Sequence, residues 1–336
     1  MSADGNASAL LLTRSELHTA WDGDVEGVVD AVEDGFRAYS AGEVILPEKA
    51  SQVFDQSTQN RINCMPATVK PLGLAGVKWV SVFPDNPSRR GLRNVGGVMV
   101  LSRMEDGGTV AVMDASMLTS IRTAAVDALA ARYLARKEVR SVALVGTGEQ
   151  AAYHARLLAP TGSGISVRVS GRTAAHADSL AEKLRVEGLD AKSYGSDMSQ
   201  AVSGADIIVT ATSGQVPALK ADWVAGGALY CHVGGREDEY AVPKKADMIV
   251  CDNWHALKHR GSPTIAHMYD EGLLGDEDIY ADLGEIVMGD KPGRTSDDQF
   301  IYFNAIGLSF VDVSVATWLM RRARARGLGS LFDFGR

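Results

Sequence analysis

Cysteine is scarce in this sequence. Cys64, Cys231 and Cys251 are the only three in 336 residues, and none stands at the spacing of a metal site or a disulfide framework. Reduced thiols in a cytoplasmic protein are the expectation. Long apolar runs are missing as well: no stretch approaches the roughly 20 residues that span a bilayer. Met1 to Leu12 has neither the basic start nor the extended apolar core of a signal peptide. Positive charge is not in excess, since 34 Lys and Arg against 42 Asp and Glu leave a net charge of −8. That balance argues against nucleic acid or an anionic membrane as a partner. The one basic concentration, Arg321, Arg322, Arg324 and Arg326, reads as the solvated end of a C-terminal helix, where cations suit the dipole. There is no internal repeat and no low-complexity linker.

What is present is ample apolar material: 46% of the residues are hydrophobic, enough at this length for two domains with cores of their own. After a flexible first decade, Asp24 to Ala41 carries Val25, Val28, Val29, Val32 and Phe36 at helical spacing. Short β-like runs follow at 76–83, 97–101 and 109–113, separated by turn residues, and predict a mainly antiparallel sheet. Thr119 or Ser120 then caps a long Ala-rich helix reaching about Arg136. From Val139 the rhythm becomes strand and helix, with strands at 141–145, 165–170, 206–211, 228–233 and 247–251. Helices are expected near 150–158, 173–186, 197–203 and 253–272. This alternation predicts a parallel, doubly wound sheet. Residues 309–326 form a closing helix.

Within that alternation, Ser141-Val-Ala-Leu-Val-Gly-Thr-Gly-Glu-Gln-Ala151 is written like a dinucleotide-binding turn. Gly146 permits the tight turn, Gly148 admits a pyrophosphate to the backbone, and Ala151 lets the helix pack close. Thr147, Glu149 and Gln150 complete the loop, and the helix after it aims free N–H groups at the phosphates. About 20 residues beyond the first glycine, the tip of the second strand selects the cofactor. No carboxylate stands there. Ser170, Arg172 and Thr173 offer a cation and hydrogen-bond donors instead, which favours NADP(H), with NAD(H) as the alternative.

Two cations of the first half are candidates for chemistry. Lys78 interrupts an apolar strand, on the face opposite Val77 and Trp79, where it either binds a carboxylate and moves protons or lies exposed on an edge strand. Arg122 opens the long helix, either converging with free N–H groups on an anion or standing as a surface arginine. His255 and His259 share i,i+4 spacing but lack the intervening Glu of a zinc-protease motif, so packing is the plainer reading and no metal is expected.

The segments 76–87, 118–125, 145–150, 205–212, 282–287 and 303–308, taken in order, resemble the ornithine cyclodeaminase and mu-crystallin family. The resemblance implies an α/β architecture: a doubly wound Rossmann sheet over 127–312, and a smaller α+β substrate-binding and dimerisation domain over 1–126 with 313–336. It implies a homodimer and hydride transfer at the α-carbon of a small amino or imino acid. Lys78 matches the family's active-site lysine, Arg122 its carboxylate-binding arginine, and Lys49 the place of a second such arginine. A clamp of this kind orients the α-carbon for hydride transfer. The resemblance also adds Thr123, Ala211, Thr212, Val233 and Gly307 to the cofactor contacts. Where cyclodeaminases of the family place an aspartate after a glycine pair, this chain has Arg236, so Asp238, or Glu237, is expected to take over acid–base work. Asn304-Ala305 is a second departure, where relatives often carry Asp and Ser. A cyclodeaminase acting on a basic amino acid is the first expectation. A ketimine reductase or amino-acid dehydrogenase with net cofactor turnover is the alternative, and a mu-crystallin-like NADPH-dependent binding protein is the alternative of another class.

Overall fold

The computed structural model describes residues 8–55, 57–212 and 217–334. The chain forms two compact units, Met1–Arg122 with Leu308–Arg336, and Thr123–Gly307. The first contains β1 (Ser8–Leu12), α1 (Arg14–Trp21), α2 (Val25–Ser40), β2 (Val44–Ile45), β3 (Ala50–Asp55), β4 (Asn60–Val69), β5 (Leu74–Val82), α3 (Asn86–Arg90), β6 (Val95–Arg103), β7 (Thr109–Asp114) and the start of α4 (Ala115–Leu134). The second follows with β8 (Ser141–Val145), α5 (Glu149–Leu158), β9 (Ser166–Ser170), α6 (Ala174–Val186), β10 (Asp190–Ser193), α7 (Met198–Val202), β11 (Ile207–Thr210), β12 (Leu229–His232), α8 (Ala241–Lys245) and β13 (Met248–Cys251). It ends with α9 (Trp254–Leu257), α10 (Thr264–Asp270), β14 (Ala281–Asp282), α11 (Leu283–Met288) and β15 (Ile301–Asn304), before α12 (Ser309–Ala325) and β16 (Ser330–Asp333) return to the first unit.

In the first unit the strands run β16-β1-β7-β6-β5-β4-β2, with β3 added beside β4. The expected antiparallel ladder is β5 to β7, and β4, which was not among the expected runs, extends it. Of the first decade, residues 1–7 lie outside the described residues, and Ser8, Ala9 and Leu10 are not free: they pair with β16, and Leu10 also pairs in parallel with β7. Helix α12 packs against α2, β4 and β5, and even its polar Asp312, Ser314 and Thr317 are buried. The arginines at its end are not simply solvated. Arg322 donates to the Ala20 carbonyl at 2.7 Å and Asp24 at 2.6 Å, and Arg326 reaches Asp22 at 2.9 Å, tying the helix to the region of α1.

Helix α4 starts before the expected caps. Asp114 accepts the Met117 N–H at 2.8 Å and so supplies the first-turn acceptor, leaving Thr119 and Ser120 inside the helix. Arg122 is therefore well past the first turn, and its neighbours' N–H groups belong to the helix ladder. The expected convergence of free N–H groups on an anion there is corrected.

The second unit holds a parallel sheet ordered β10-β9-β8-β11-β12-β15-β13-β14. Strands β8, β11, β12, β13 and β15 are buried along their whole length, which is why they read as unbroken apolar runs. The chain leaves β8 to one side for β9 and β10 and returns to its other side for β11 and β12. Such a reversal opens a ligand crevice at the carboxyl ends of the strands. The helix expected over 253–272 is split into α9 and α10, because Gly261 adopts φ 60° and Pro263 cannot continue a ladder. His255 and His259 thus do not share one helix face; their rings meet edge to face at 5.9 Å. Among the described residues no helix is long and apolar enough to cross a membrane.

Candidate active site

The glycine turn follows β8 with the geometry its spacing predicts. Gly146 has φ 134°, and a Cβ there would lie 2.4 Å from the Ala211 carbonyl oxygen, so only glycine fits. Gly148 is the N-cap of α5 and makes no side-chain cap; a Cβ on it would meet nothing within 4 Å. An uncapped helix start with open space beside its backbone suits a diphosphate. Ala151 is buried, as close packing of α5 requires. Thr147, Glu149 and Gln150 lie on the same turn or the first turn of α5. The other expected contacts sit at the same carboxyl edge: Ala211 and Thr212 after β11, Val233 after β12 and Gly307 after β15. Ala211 and Val233 donate their N–H groups to Val145 and Thr210, the last residues of the neighbouring strands. Thr123, on α4, is partly buried. These groups fit a dinucleotide.

Beyond β9, one of the three residues expected to hold a 2′-phosphate is turned away from solvent. Ser170 is completely buried, and its hydroxyl points at the Leu144 carbonyl, 3.4 Å away. Arg172 and Thr173 are exposed.

In the first unit, Lys78 lies on the inner face of the sheet. In register across the ladder, Met65, Lys78, Met99 and Met113 form one row. The lysine is 1% exposed, whereas its neighbour Trp79 on the opposite face is 40% exposed. This inverts the usual placement of the two residue types, and β5 is an interior strand, so the exposed-edge reading of Lys78 falls. Met65 and Met99 flank the lysine on the two neighbouring strands. Its Nζ donates to Asp312 Oδ1 of α12 at 2.8 Å, and Arg122 Nε lies 3.1 Å from the same oxygen. Asp312 is fully buried, and its Oδ2 has no hydrogen-bond partner. Two cations thus share one buried carboxylate oxygen. Lys49 directly precedes β3, in which Ala50 pairs with Cys64. Carried one residue further, that register sets Lys49 opposite Met65, in the row of Lys78.

The segment after β12 departs from its expected role. Asp238 is fully buried, with Oδ1 accepting from the Tyr302 hydroxyl at 3.3 Å and the Tyr230 hydroxyl at 3.4 Å, and with His232 Nδ1 at 3.5 Å. Burial pushes its carboxyl above the usual range, and burial raises the Tyr230 and Tyr302 phenols well above theirs. Asp238, expected as the acid–base group, is held in an interior network through Oδ1, while its Oδ2 is buried with no hydrogen-bond partner. Glu237 is equally buried and accepts from the Thr210 hydroxyl, the Thr212 N–H and the Gly234 N–H. Glu239 accepts the Ala221 N–H at 2.9 Å. Arg236 stacks over the Tyr240 ring, 5.3 Å from its centroid.

Sequence reasoning missed three carboxylates. Asp312 stands in the closing helix, where one acid in an otherwise apolar run was the available signal. Glu237 was weighed only for chemistry. Asp252, after β13, accepts the N–H groups of Ile306 and Gly307 at 3.0 and 2.9 Å, and burial raises its pKa to about 6.

A family model described as the ornithine cyclodeaminase/mu-crystallin family matches residues 11–327. Alanine dehydrogenase of Archaeoglobus fulgidus is 32% identical over 332 residues, covering 97% of this chain and 99% of that protein. Among solved structures, an archaeal alanine dehydrogenase dimer with bound NAD is similar with a TM-score of 0.87 at 32% identity, covering 98% of this chain and 100% of that one. The delta(1)-pyrroline-2-carboxylate reductase of Thermococcus litoralis, in complex with NADH and L-proline, has a TM-score of 0.88 at 27% identity, covering 96% of this chain and 99% of that one. Both solved relatives hold the unphosphorylated cofactor. That finding overturns the preference for NADP(H), and the inward hydroxyl of Ser170 gives the physical reason.

Proposed function

We propose that this chain, which belongs to the ornithine cyclodeaminase/mu-crystallin family, reduces the C=N bond of a small imino acid with net oxidation of NADH. It is an oxidoreductase of the group that acts on small amino and imino acids. The observation that carries the choice is the state of the loop after β12. All three of its carboxylates accept hydrogen bonds from the protein, and an arginine stands where cyclodeaminases present an acid. A diamino acid would bring a terminal ammonium to that place, and an arginine repels it. An imino acid has no such group. The names of the alanine dehydrogenase and pyrroline carboxylate reductase relatives support the same reading, so the cyclodeaminase expectation gives way to its alternative.

NADH, when bound, would supply the hydride for the imine carbon, and a proton must reach the nitrogen. Arg122 and Lys78, the two cations gathered at Asp312, bind the substrate carboxylate. Asp312 aims Lys78. Lys78 is the group we assign to hold the proton destined for the imine nitrogen. The turn at Gly146 and Gly148, with Thr212, Val233 and Gly307, holds the cofactor.

A homodimer is part of the proposal. The outer face of the first sheet exposes the cross-strand pair Trp79 and Val98, at 40% and 42%, an apolar surface of the kind a second copy covers. The archaeal relative is described as a dimer.

The test is a substrate panel of cyclic ketimines, and α-keto acids with ammonia or amines, beside ornithine and lysine. The expected result is one NADH oxidised per amino acid formed. Conversion of a diamino acid to a cyclic product without net change in NADH would restore the cyclodeaminase, and tight NADH binding with no turnover on the whole panel would favour the binding protein.

A further inference from the structure

We infer that Glu237 and Asp252 are positioning residues: two inward-turned carboxylates that fix the backbone at Thr212 after β11, Gly234 after β12 and Ile306–Gly307 after β15, and thereby the affinity for NADH. The inference rests on reading that sheet edge as the cofactor site. Residues just beyond a strand carry N–H groups with no ladder partner, and buried N–H groups require an acceptor. Glu237 supplies acceptors for two such loops at once, taking the Thr212 N–H at one oxygen and the Gly234 N–H at the other, 2.7 Å away. The Thr210 hydroxyl, also at 2.7 Å, ties the carboxylate to the end of β11.

Gly234 is part of the device. A Cβ there would lie 2.6 Å from the Glu237 carboxylate, so the acid occupies the space of the missing side chain. Asp252 repeats the arrangement from another segment. Its Oδ2 accepts from Ile306 and Gly307, while Oδ1 accepts the Asn253 N–H at 2.9 Å. Gly307 has φ 80°, a conformation that the Asp252 bond stabilises on the loop. Both acids are at most 1% exposed. The placement resolves an electrostatic conflict. A diphosphate would be repelled by carboxylates at this edge, yet here their charge is turned into the protein and absorbed by backbone dipoles.

An amide cannot replace either acid without loss, since it offers one oxygen and one NH2 group. In Glu237→Gln, the NH2 faces either the Thr212 or the Gly234 N–H, and that loop is released. In Asp252→Asn the same conflict falls on either the Asn253 N–H or the 306–307 pair.

The experiment is NADH titration by fluorescence on the full-length protein, with thermal unfolding of each variant alongside. We expect E237Q and D252N to bind NADH about tenfold more weakly, the equivalent of one charge-assisted hydrogen bond. The KM for NADH should rise while that for the imino acid holds. The control E239Q, altering a carboxylate bound only to the Ala221 N–H, should stay within about twofold. Unchanged NADH affinity in E237Q and D252N, even with a lowered melting temperature, would overturn the inference and leave both acids purely structural. Failure of the unaltered protein to bind NADH would instead overturn the reading of the edge. If the variants do not fold, amide exchange on the unaltered, cofactor-free protein decides: Thr212, Gly234, Ile306 and Gly307 should be protected like strand interiors, and rapid exchange there would refute the assignment.

Discussion

The first unit buries one carboxylate between two cations, and the second buries carboxylates among backbone N–H groups and hydroxyls. Asp312 meets Lys78 and Arg122 at one oxygen, so two cations face a single carboxylate there, and its other oxygen makes no hydrogen bond. Glu237 and Asp252 meet neutral donors in sufficient number, so their surroundings are saturated. Burial alone does not tell the two roles apart. The partners do: cations gathered at one carboxylate recruit an anionic substrate, while a carboxylate satisfied by neutral donors fixes the backbone around it.

The largest expected effect breaks the first arrangement. Lys78→Ala should lower kcat by about 10²–10⁴-fold, the usual range for a positioned acid or base, with NADH affinity intact by fluorescence titration. Equal losses in NADH binding and turnover would erase the division of labour. Next, Asp312→Ala leaves two buried cations facing each other and should destabilise the fold by about 3–5 kcal/mol in urea unfolding. A smaller loss is expected for Arg122→Lys, which keeps the charge but loses the planar fork. It should raise KM for the imino acid by about tenfold while kcat changes little, as steady-state rates would show.

The second arrangement has a pH signature. Burial holds the Asp252 pKa at about 6, above the ordinary aspartate value of 3.8 in the unfolded chain. The folded state therefore binds more protons between those values, and this group's contribution declines as pH rises from about 4 through 6. Relative to D252N, which cannot titrate there, the protein should lose up to about 3 kcal/mol across that window in urea unfolding. A difference independent of pH would mean that Asp252 is not held as described. The smallest effect is expected at Arg172: Arg172→Ala should leave the Kd for NADH within about twofold, because an exposed loop cation makes little net contribution.

What was legible in the sequence was local. The turn at Gly146 and Gly148 could be read because its glycines, the strand before it and the helix after it are contiguous. The inner face for Lys78 followed from alternation with Val77 and Trp79, although the depth of its burial did not. The rest depended on partners far apart in the chain. Asp312 lies 234 residues from Lys78, and its one local signal, an acid in an apolar run, does not name the cation it meets. Glu237 and Asp238 looked like available acids because a charged loop usually lies in water; here Tyr230, Tyr302 and the loop N–H groups draw them inside. The start of α4 was misplaced for a similar reason, since Asp114 ends a strand and caps a helix at once. Ser170 misled by type, because a hydroxyl that could bind phosphate turns toward a carbonyl of the adjacent strand.

The central claim is net hydride transfer to an imino acid clamped by Lys78 and Arg122. Single-turnover reduction of a cyclic ketimine by NADH deuterated on the transferred position tests it most directly. The account predicts one deuterium at the α-carbon of the product for each NADH oxidised, and loss of that label transfer in Lys78→Ala with NADH still bound. Unlabelled product, or ornithine cyclised with no net oxidation of the cofactor, would contradict it.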